Sequence, residues 1–354
     1  MGRTSTDLAV FVGKRLLQLI PVVLGVMLIT FVFTHIAVRN PCGSWYGRNA
    51  DPAQIDLCIR NFGLDQPLPN QFARYMSTLL TGDWGQDANG IPVLPAIATA
   101  FPATLELVLA SLFLITLLGI PLGVVAANHS GRWPDHIVRV FYLSGWATPT
   151  YLGAIVLAII VGPLVGLPSS GEFLGSPTLP RPTHMSVVDA FLGVLGFFSE
   201  PRKFWTMAGH WSTVGDAAAH LILPAAALAF LNMGIATRMT RSSMLEVLPM
   251  DFVKTARMKG LSEFRVLYKH ALRNSLISTT TVLGVTAGGL LSGTVVIEEI
   301  FQWPGIGLYA FEAVRQYNFA GAVAVVIVFA SGVVVSNMIA DILYGILDPR
   351  VEWR

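Results

Sequence analysis

The sequence predicts an all-α membrane protein with six transmembrane helices and both termini in the cytosol. Three observations carry that prediction. Hydrophobic residues make up 53% of the 354, whereas Asp, Glu, Lys and Arg together make up only 12%, about half the share found in an average soluble domain. Six apolar stretches each have roughly the 20 residues needed to cross about 30 Å of hydrocarbon. Lys and Arg are distributed unevenly between the connections on the two sides. A soluble enzyme could not cover its surface with so little charge. Disorder requires low hydrophobicity and high net charge, and a net charge of +2 gives no basis for nucleic-acid binding. The 33 Gly and 21 Pro follow no period, which excludes a fibrous chain.

The elements follow in order. Residues 1–15 form a short cytosolic segment leading into the first span, 16–38. That apolar run is longer than the roughly 7–15 residues of a signal-peptide core, so it reads as a retained helix. Residues 39–100 form an external loop with turn signals at Asn40-Pro41, Asp51-Pro52 and Pro67-Leu68-Pro69. The second span covers 103–127 and the third 137–161. A second external insertion, 162–219, is rich in Pro and Gly and carries Phe204, Trp205 and Trp211. Trp is enriched at lipid headgroups, so this insertion faces lipid or a partner. The fourth span, 221–237, has Pro224 near its start. A cytosolic region, 238–275, precedes the fifth span at 277–297. An external loop, 298–318, the sixth span, 319–347, and a cytosolic tail, 348–354, complete the chain.

Orientation rests on charge. The side holding both termini, the 128–136 connection and the 238–275 region carries 15 of the 23 Lys and Arg, against 8 opposite. That side is cytosolic by the positive-inside rule. Cys42 and Cys58, the only two cysteines, both fall in the first external loop. Disulfides persist in oxidising compartments, and closing a loop of about 15 residues is worth ~3 kcal/mol in the chain-entropy model. A Cys42–Cys58 disulfide is the expectation, with two unpaired thiols as the alternative.

The region 238–275 carries the most information. Pro249 and Asp251 can start a helix, and Gly260 can end it. Ser262 can cap a second helix with Glu263 in its first turn. Phe252, Ala256 and Lys259 share one face of the first helix. Phe252, Val253, Ala256 and Met258 have the character of buried residues, which a merely solvated basic loop does not need. Such a helix suits docking into a cytosolic partner.

Ionisable residues within apolar segments are candidates for a transport path. They are Glu106 near the outer end of the second span, and Asp341 near the inner end of the sixth, one turn after Asn337. Glu298, Glu299 and Glu312 make the outer mouth acidic, either as a lure for a cationic group or, more simply, as a solvated rim. The glycine pairs Gly284–Gly288 and Gly289–Gly293 permit close helix approach, within the chain or against a partner. Nothing points to catalysis or to a bound metal. The seven His residues show no H-E-x-x-H spacing, and G-x-S-x-G and the phosphate-cradling G-x-x-x-x-G-K-[S/T] are absent from the sequence. A proton-coupled transporter or a channel is the rival class. It would call for a midplane chain of carboxylates or a filter-like loop, and neither stands out.

Several strings resemble one family. The cytosolic signature of ATP-binding-cassette importer permeases runs E-A-A, three residues, G, nine residues, I-x-L-P. Here Lys254, Thr255 and Ala256 stand at the E-A-A positions, Gly260 at the glycine, and His270 to Arg273 at the I-x-L-P end. The chain departs from the signature at the first acidic residue and at the final proline. F-V-K-T-A-R-M-K-G-L and H-A-L-R-N-S-L look like the version in the dipeptide/oligopeptide/nickel branch, permease B type. GKRLLQLIPVVLGVMLITFVF, GLDQPLPNQFARYMSTLLTGDWGQ, IEEIFQWPGIG and NMIADILYGILDPRVEW are similar to that branch's first helix, first outer loop, loop after helix five and C-terminus.

The resemblance implies a type I importer permease in the cell membrane that forms half of a translocation path. Its expected substrate is a dipeptide or oligopeptide, with nickel or an oligosaccharide as alternatives. Its implied partners are a second homologous permease subunit, two ATPase subunits, an external solute-binding protein and membrane lipid. ATP and Mg would sit on the ATPase subunits, and this chain would bind no cofactor and hydrolyse nothing. Asp251, Phe252, Lys254, Thr255, Ala256, Arg257, Lys259, Gly260 and Leu261 would form the coupling helix and its end.

Overall fold

A computed structural model describes residues 5–37, 52–86, 91–167, 211–316 and 318–347. All the named elements among them are helices. The first, α1, runs Ser5–Ala37 with Pro21 inside it. Two amphipathic helices follow in the region expected as a loop, α2 (Pro52–Phe62) and α3 (Leu68–Leu80). Their exposed apolar residues and polar composition kept them from standing out beside the long apolar runs. The expected Cys42–Cys58 pairing lies outside the described residues, as does most of the 162–219 insertion.

The second apolar rod starts already at Val93. It comprises α4 (Val93–Leu114), a π-helical turn (Ile115–Gly119) and α5 (Ile120–Asn128). Pro102 is accommodated inside α4, as proline commonly is in membrane helices. The stretch expected as one span over 137–161 is instead two helices bent by 111°. They are α6 (Trp133–Ala147) and α7 (Thr150–Val156), the latter continuing through a π turn, Leu157–Val161, into α8 (Gly162–Val165). Pro149 explains the bend. The residue before a proline is driven out of the helical region, and Thr148 has φ −80° and ψ 128°.

The remaining elements are α9 (Trp211–Val247), α10 (Asp251–Met258) and α11 (Glu263–Arg265), followed by a π turn, Val266–Ala271, that leads into α12 (Leu272–Phe301). Then come α13 (Ile306–Arg315) and α14 (Phe319–Leu347). Four rods are long and apolar enough to cross a bilayer, and the bent pair would make a fifth. They lie at 93–128, 218–247, 263–301 and 320–342.

The core is organised around α9. Leu223, Ala227, Leu228, Leu231 and Met233 of α9 pack with Leu107 and Ile115 of the second rod and Leu290 and Ile297 of α12. Glycine sets how close the helices come. A Cβ at Gly123 on α5 would lie 2.6 Å from the Thr240 Cβ and 2.8 Å from the Thr237 carbonyl oxygen. A Cβ at Gly145 on α6 would collide with the Phe230 carbonyl oxygen. On the other flank, Gly284 of α12 admits Ala340 of α14, and Gly288 faces Ser336 and Val333. The first glycine pair is thus used within the chain. At Gly289 and Gly293 an added Cβ would meet nothing within 4 Å.

These notches predict a contrast. Gly123→Val should destabilise the purified chain by about 1–3 kcal/mol through overpacking, read as a lower thermal-unfolding midpoint. Gly289→Val should leave that midpoint close to wild type. Equal midpoints for the two variants would show that close approach to α9 is not what fixes the packing.

Candidate docking site at one end of the helix bundle

The short helix α10 sits between the ends of α9 and α12. Its N-cap position is Met250, whose side chain offers no cap. The first turn is instead held by Asp251, which pairs with Lys254 at 3.0 Å and whose carbonyl accepts from the Thr255 hydroxyl at 2.8 Å. A negative residue there also complements the helix dipole. The C-terminal end closes as a Schellman turn. The Gly260 N–H donates to the Arg257 carbonyl at 2.9 Å, and the Leu261 N–H to the Ala256 carbonyl at 3.4 Å. Gly260 has φ +74°, a left-handed conformation that favours glycine. The break expected at Gly260 is therefore present. Ser262 does stand at the N-cap of the next helix, but its side chain makes no cap hydrogen bond.

Burial divides α10 into two faces. Val253 and Ala256 are buried against Val124 and Ala127 of α5, Met244 and Val247 of α9, and Val266, Leu267, Ala271 and Leu272. Leu261 packs against the same cluster. Phe252 and Met258, which the sequence suggested as buried, are exposed, at 40% and 79%. Only two of the four apolar residues fit the bundle-facing arc of an eight-residue helix, so the others point away. Lys254, Thr255, Arg257 and Lys259 are exposed with them. Arg257 reaches across the break to Glu263 at 2.7 Å, and this pairing holds the guanidinium pKa above its usual value. Phe264, also exposed, stacks on Tyr268 with centroids 4.6 Å apart. The outer surface here is thus basic with apolar points: Met250, Phe252, Met258 and Phe264.

The other candidates are dispersed. Glu106 is buried on α4. Asn337 is exposed and Asp341 half-buried on α14. Among the described residues no cluster of His, Cys, Asp or Glu could hold a metal ion.

The acidic rim at the opposite end requires correction. Glu312 is exposed and Glu299 half-buried, but Glu298 is fully buried. Its carboxylate accepts from the N–H groups of Gly307 and Leu308 at 2.7 and 3.0 Å, and from the Thr104 hydroxyl at 2.8 Å. The Thr104 oxygen in turn accepts from the Ile306 N–H at 2.8 Å. The first three N–H groups of α13 are therefore capped by side chains from two other helices. Gly305, at the N-cap, has no side chain to do it, and a Cβ there would strike Glu298 and Thr104. Trp303 adds an N–H bond to the Ala103 carbonyl at 2.8 Å. In sequence, two adjacent glutamates before a Trp-Pro-Gly turn look like a solvated mouth. Only the fold shows that one of them turns inward to cap a helix.

A multi-pass helical membrane protein with a bundle-anchored helix presented outward at one end is the class that this fold and site define. Residues 119–353 match the binding-protein-dependent transport system inner membrane component family, and residues 8–112 match the N-terminal model described for the same systems. The chain belongs to that family. It is 38% identical over 340 residues to the probable D,D-dipeptide transport system permease protein DdpB of Escherichia coli strain K12, covering 96% of each chain. It is 37% identical over 345 residues to the dipeptide transport system permease protein DppB of Haemophilus influenzae, covering 97% of this chain and 99% of that one. It is 36% identical over 345 residues to the di/tripeptide transport system permease protein DppB of Pseudomonas aeruginosa, covering 97% and 98%.

The capping knot yields a prediction. Glu298→Ala strands two backbone donors in a buried site, each costing about 1–3 kcal/mol. The thermal-unfolding midpoint of the purified chain should fall clearly, whereas Glu299→Ala should shift it by no more than about 0.5 kcal/mol allows. Equal effects would refute the capping role.

Proposed function

We propose that the chain is a transmembrane permease subunit of an ATP-driven, binding-protein-dependent importer for dipeptides and oligopeptides. The observation that carries this reading is the two-faced α10. Val253 and Ala256 anchor it to the bundle, while Phe252, Met258 and a basic surface face outward. That is the form needed by a helix seated in a groove of a separate protein. The peptide class is suggested by the names of the relatives.

In this reading α1, the 93–128 rod, the bent α6–α8 pair, α9, α12 and α14 make six spans. Both termini lie on the α10 side, and the positive-inside count supports placing that side in the cytosol. A second homologous permease supplies the other half of the path. Two ATPase subunits carry ATP and Mg and dock on the α10 helices, and an external solute-binding protein delivers the peptide. Asp251 to Leu261 receive the movement of the ATPase pair and pass it to the bundle as a rigid-body displacement. Asn337, Asp341 and Glu106 are our candidates for the path lining. Glu106 would have to turn out of this chain's own packing to reach it.

Co-purification from gently solubilised native membranes is the first test. A second permease, an ATPase with a phosphate-binding loop and a solute-binding protein should accompany the chain. Recovery alone or as a homo-oligomer would favour a secondary transporter or channel. Coupling is tested in vesicles. Ala256→Asp puts a charge into the apolar contact of α10, and Gly260→Asp strains its end. Both should leave the subunit inserted but lower ATP-driven dipeptide uptake by about tenfold or more, the scale of a ~1.4 kcal/mol or larger loss. Unchanged uptake in both would show that α10 is not the coupling element.

A further inference from the structure

A third buried carboxylate pairs with the α10-bearing end of α9. Asp135, in the first turn of α6, is fully buried, while its partners Arg241 and Arg139 are 17% and 39% exposed. Arg241 of α9 grips it with two bonds, Nε to Oδ1 at 2.8 Å and Nη2 to Oδ2 at 2.9 Å. Arg139 donates from Nε and Nη2 at 3.0 and 2.8 Å. The Gly131 N–H, in the turn that joins α5 to α6, donates at 2.9 Å. Arg241 also reaches the Ser130 hydroxyl of that turn at 3.4 Å. Two of the positive-inside arginines are therefore committed to a structural contact.

Position gives the contact its meaning. Arg241 stands one helical turn before Met244, and Met244 and Val247 form the apolar seat of Val253 and Ala256 on α10. A displacement of α10 thus enters α9 beside Arg241. Elsewhere α6 meets α9 mainly through apolar and glycine contacts, such as Phe141 on Phe230 with centroids 5.4 Å apart and Gly234 under Tyr142, with the Arg238 guanidinium 5.7 Å from the Trp146 ring centroid as a further charged contact. Apolar packing is non-directional and permits sliding. A bidentate arginine–carboxylate pair fixes orientation as well as distance.

We propose that Asp135 and Arg241 form a positioning clamp that makes α6 follow the α10-bearing end of α9 during transport. The clamp rests on the reading of α10 as the coupling helix, and it adds to that reading the route by which movement reaches the bent α6–α8 pair. Neither residue touches the peptide. Their variants are expected to change how much transport each ATP drives rather than how peptide binds.

The test uses the complete transporter, with its ATPase and solute-binding protein, reconstituted in liposomes. Uptake of radiolabelled alanyl-alanine and ATP hydrolysis are both measured per assembled complex. Asp135→Asn and Arg241→Lys should each lower peptide carried per ATP by about tenfold, within the range of measured couplings between sites. The Asp135→Asn/Arg241→Lys double variant should be no worse than either single. Arg139→Gln should stay within about twofold of wild type, because an exposed arm of this kind contributes little. Arg241→Lys keeps the charge and loses only the fork, so it reports even if Asp135→Asn assembles poorly. A wild-type ratio in Arg241→Lys, or additive losses in the double variant, would overturn the clamp. Met258→Glu, on the exposed face of α10, separates the two readings. If it uncouples and Arg241→Lys does not, the clamp alone fails. If Met258→Glu leaves the ratio unchanged, the coupling-helix reading fails with it.

Discussion

The close approach of α9 to its neighbours is the constraint on which the rest of the bundle depends. In lipid there is no hydrophobic force pulling helices together, so association rests on fit and on polar contacts between helices. Gly119 at the end of the π turn, Gly123 on α5 and Gly145 on α6 let the backbone of α9 come in, and Gly234 of α9 does the same for Tyr142. Once α9 is seated, Thr240 meets Thr279 of α12 at 3.2 Å, which ties the two long rods to each other. The seat of α10 is a by-product of this arrangement, since it is made from the ends of α5, α9 and α12 where they converge.

Polar fixing is concentrated at the two ends. Asp135 is held by donors from α6, α9 and the turn before α6. Glu298 and Thr104 hold the start of α13 from α12 and α4. A buried carboxylate is expensive to leave unsatisfied, so each of these sites specifies its partners closely. Small residues line the helix contacts between them, at Gly123 on Thr240 and Gly284 on Ala340. Such surfaces are specific in shape but carry few directional bonds.

Much of this was legible in the sequence. The long apolar runs over α9, α12 and α14, the break at Gly260 and the outward-facing basic helix all follow from composition, turn chemistry and period. The bend at Pro149 was also legible in principle, because a proline inside an apolar run restricts the residue before it. The apolar character of the flanking segments hid it. The exposure of Phe252 and Met258, expected to be buried with Val253 and Ala256, was not legible, because an eight-residue helix offers too few turns to define its inner arc. Nor could Asp135 and Glu298 be recognised. The i, i+4 partner Arg139 alone gives no sign of burial, and the cross-helix partners that bury Asp135 and Glu298, Arg241 and Thr104, lie 106 and 194 residues away and leave no local pattern.

The same geometry says how a push could travel. A helix is stiff along its axis, and α5, α9 and α12 all lead away from the α10 seat. The α12 rod ends in Glu298, which holds α13, so α13 is bound to move with it. The α9 rod carries Arg241 at its α10 end and the Phe230 notch further along, so α6 is held to it at two heights. Two points of attachment prevent pivoting that one would allow. A tilt of α9 thus carries α6, and beyond the 111° bend the α7–α8 limb keeps its own contact with α9, where Gly153 lies against Leu231 and Ala154 and Ala158 enter the same core. The polar contacts thus fix which helix ends are joined, and the proline bend fixes where α6 gives way to a limb seated on α9 by apolar packing.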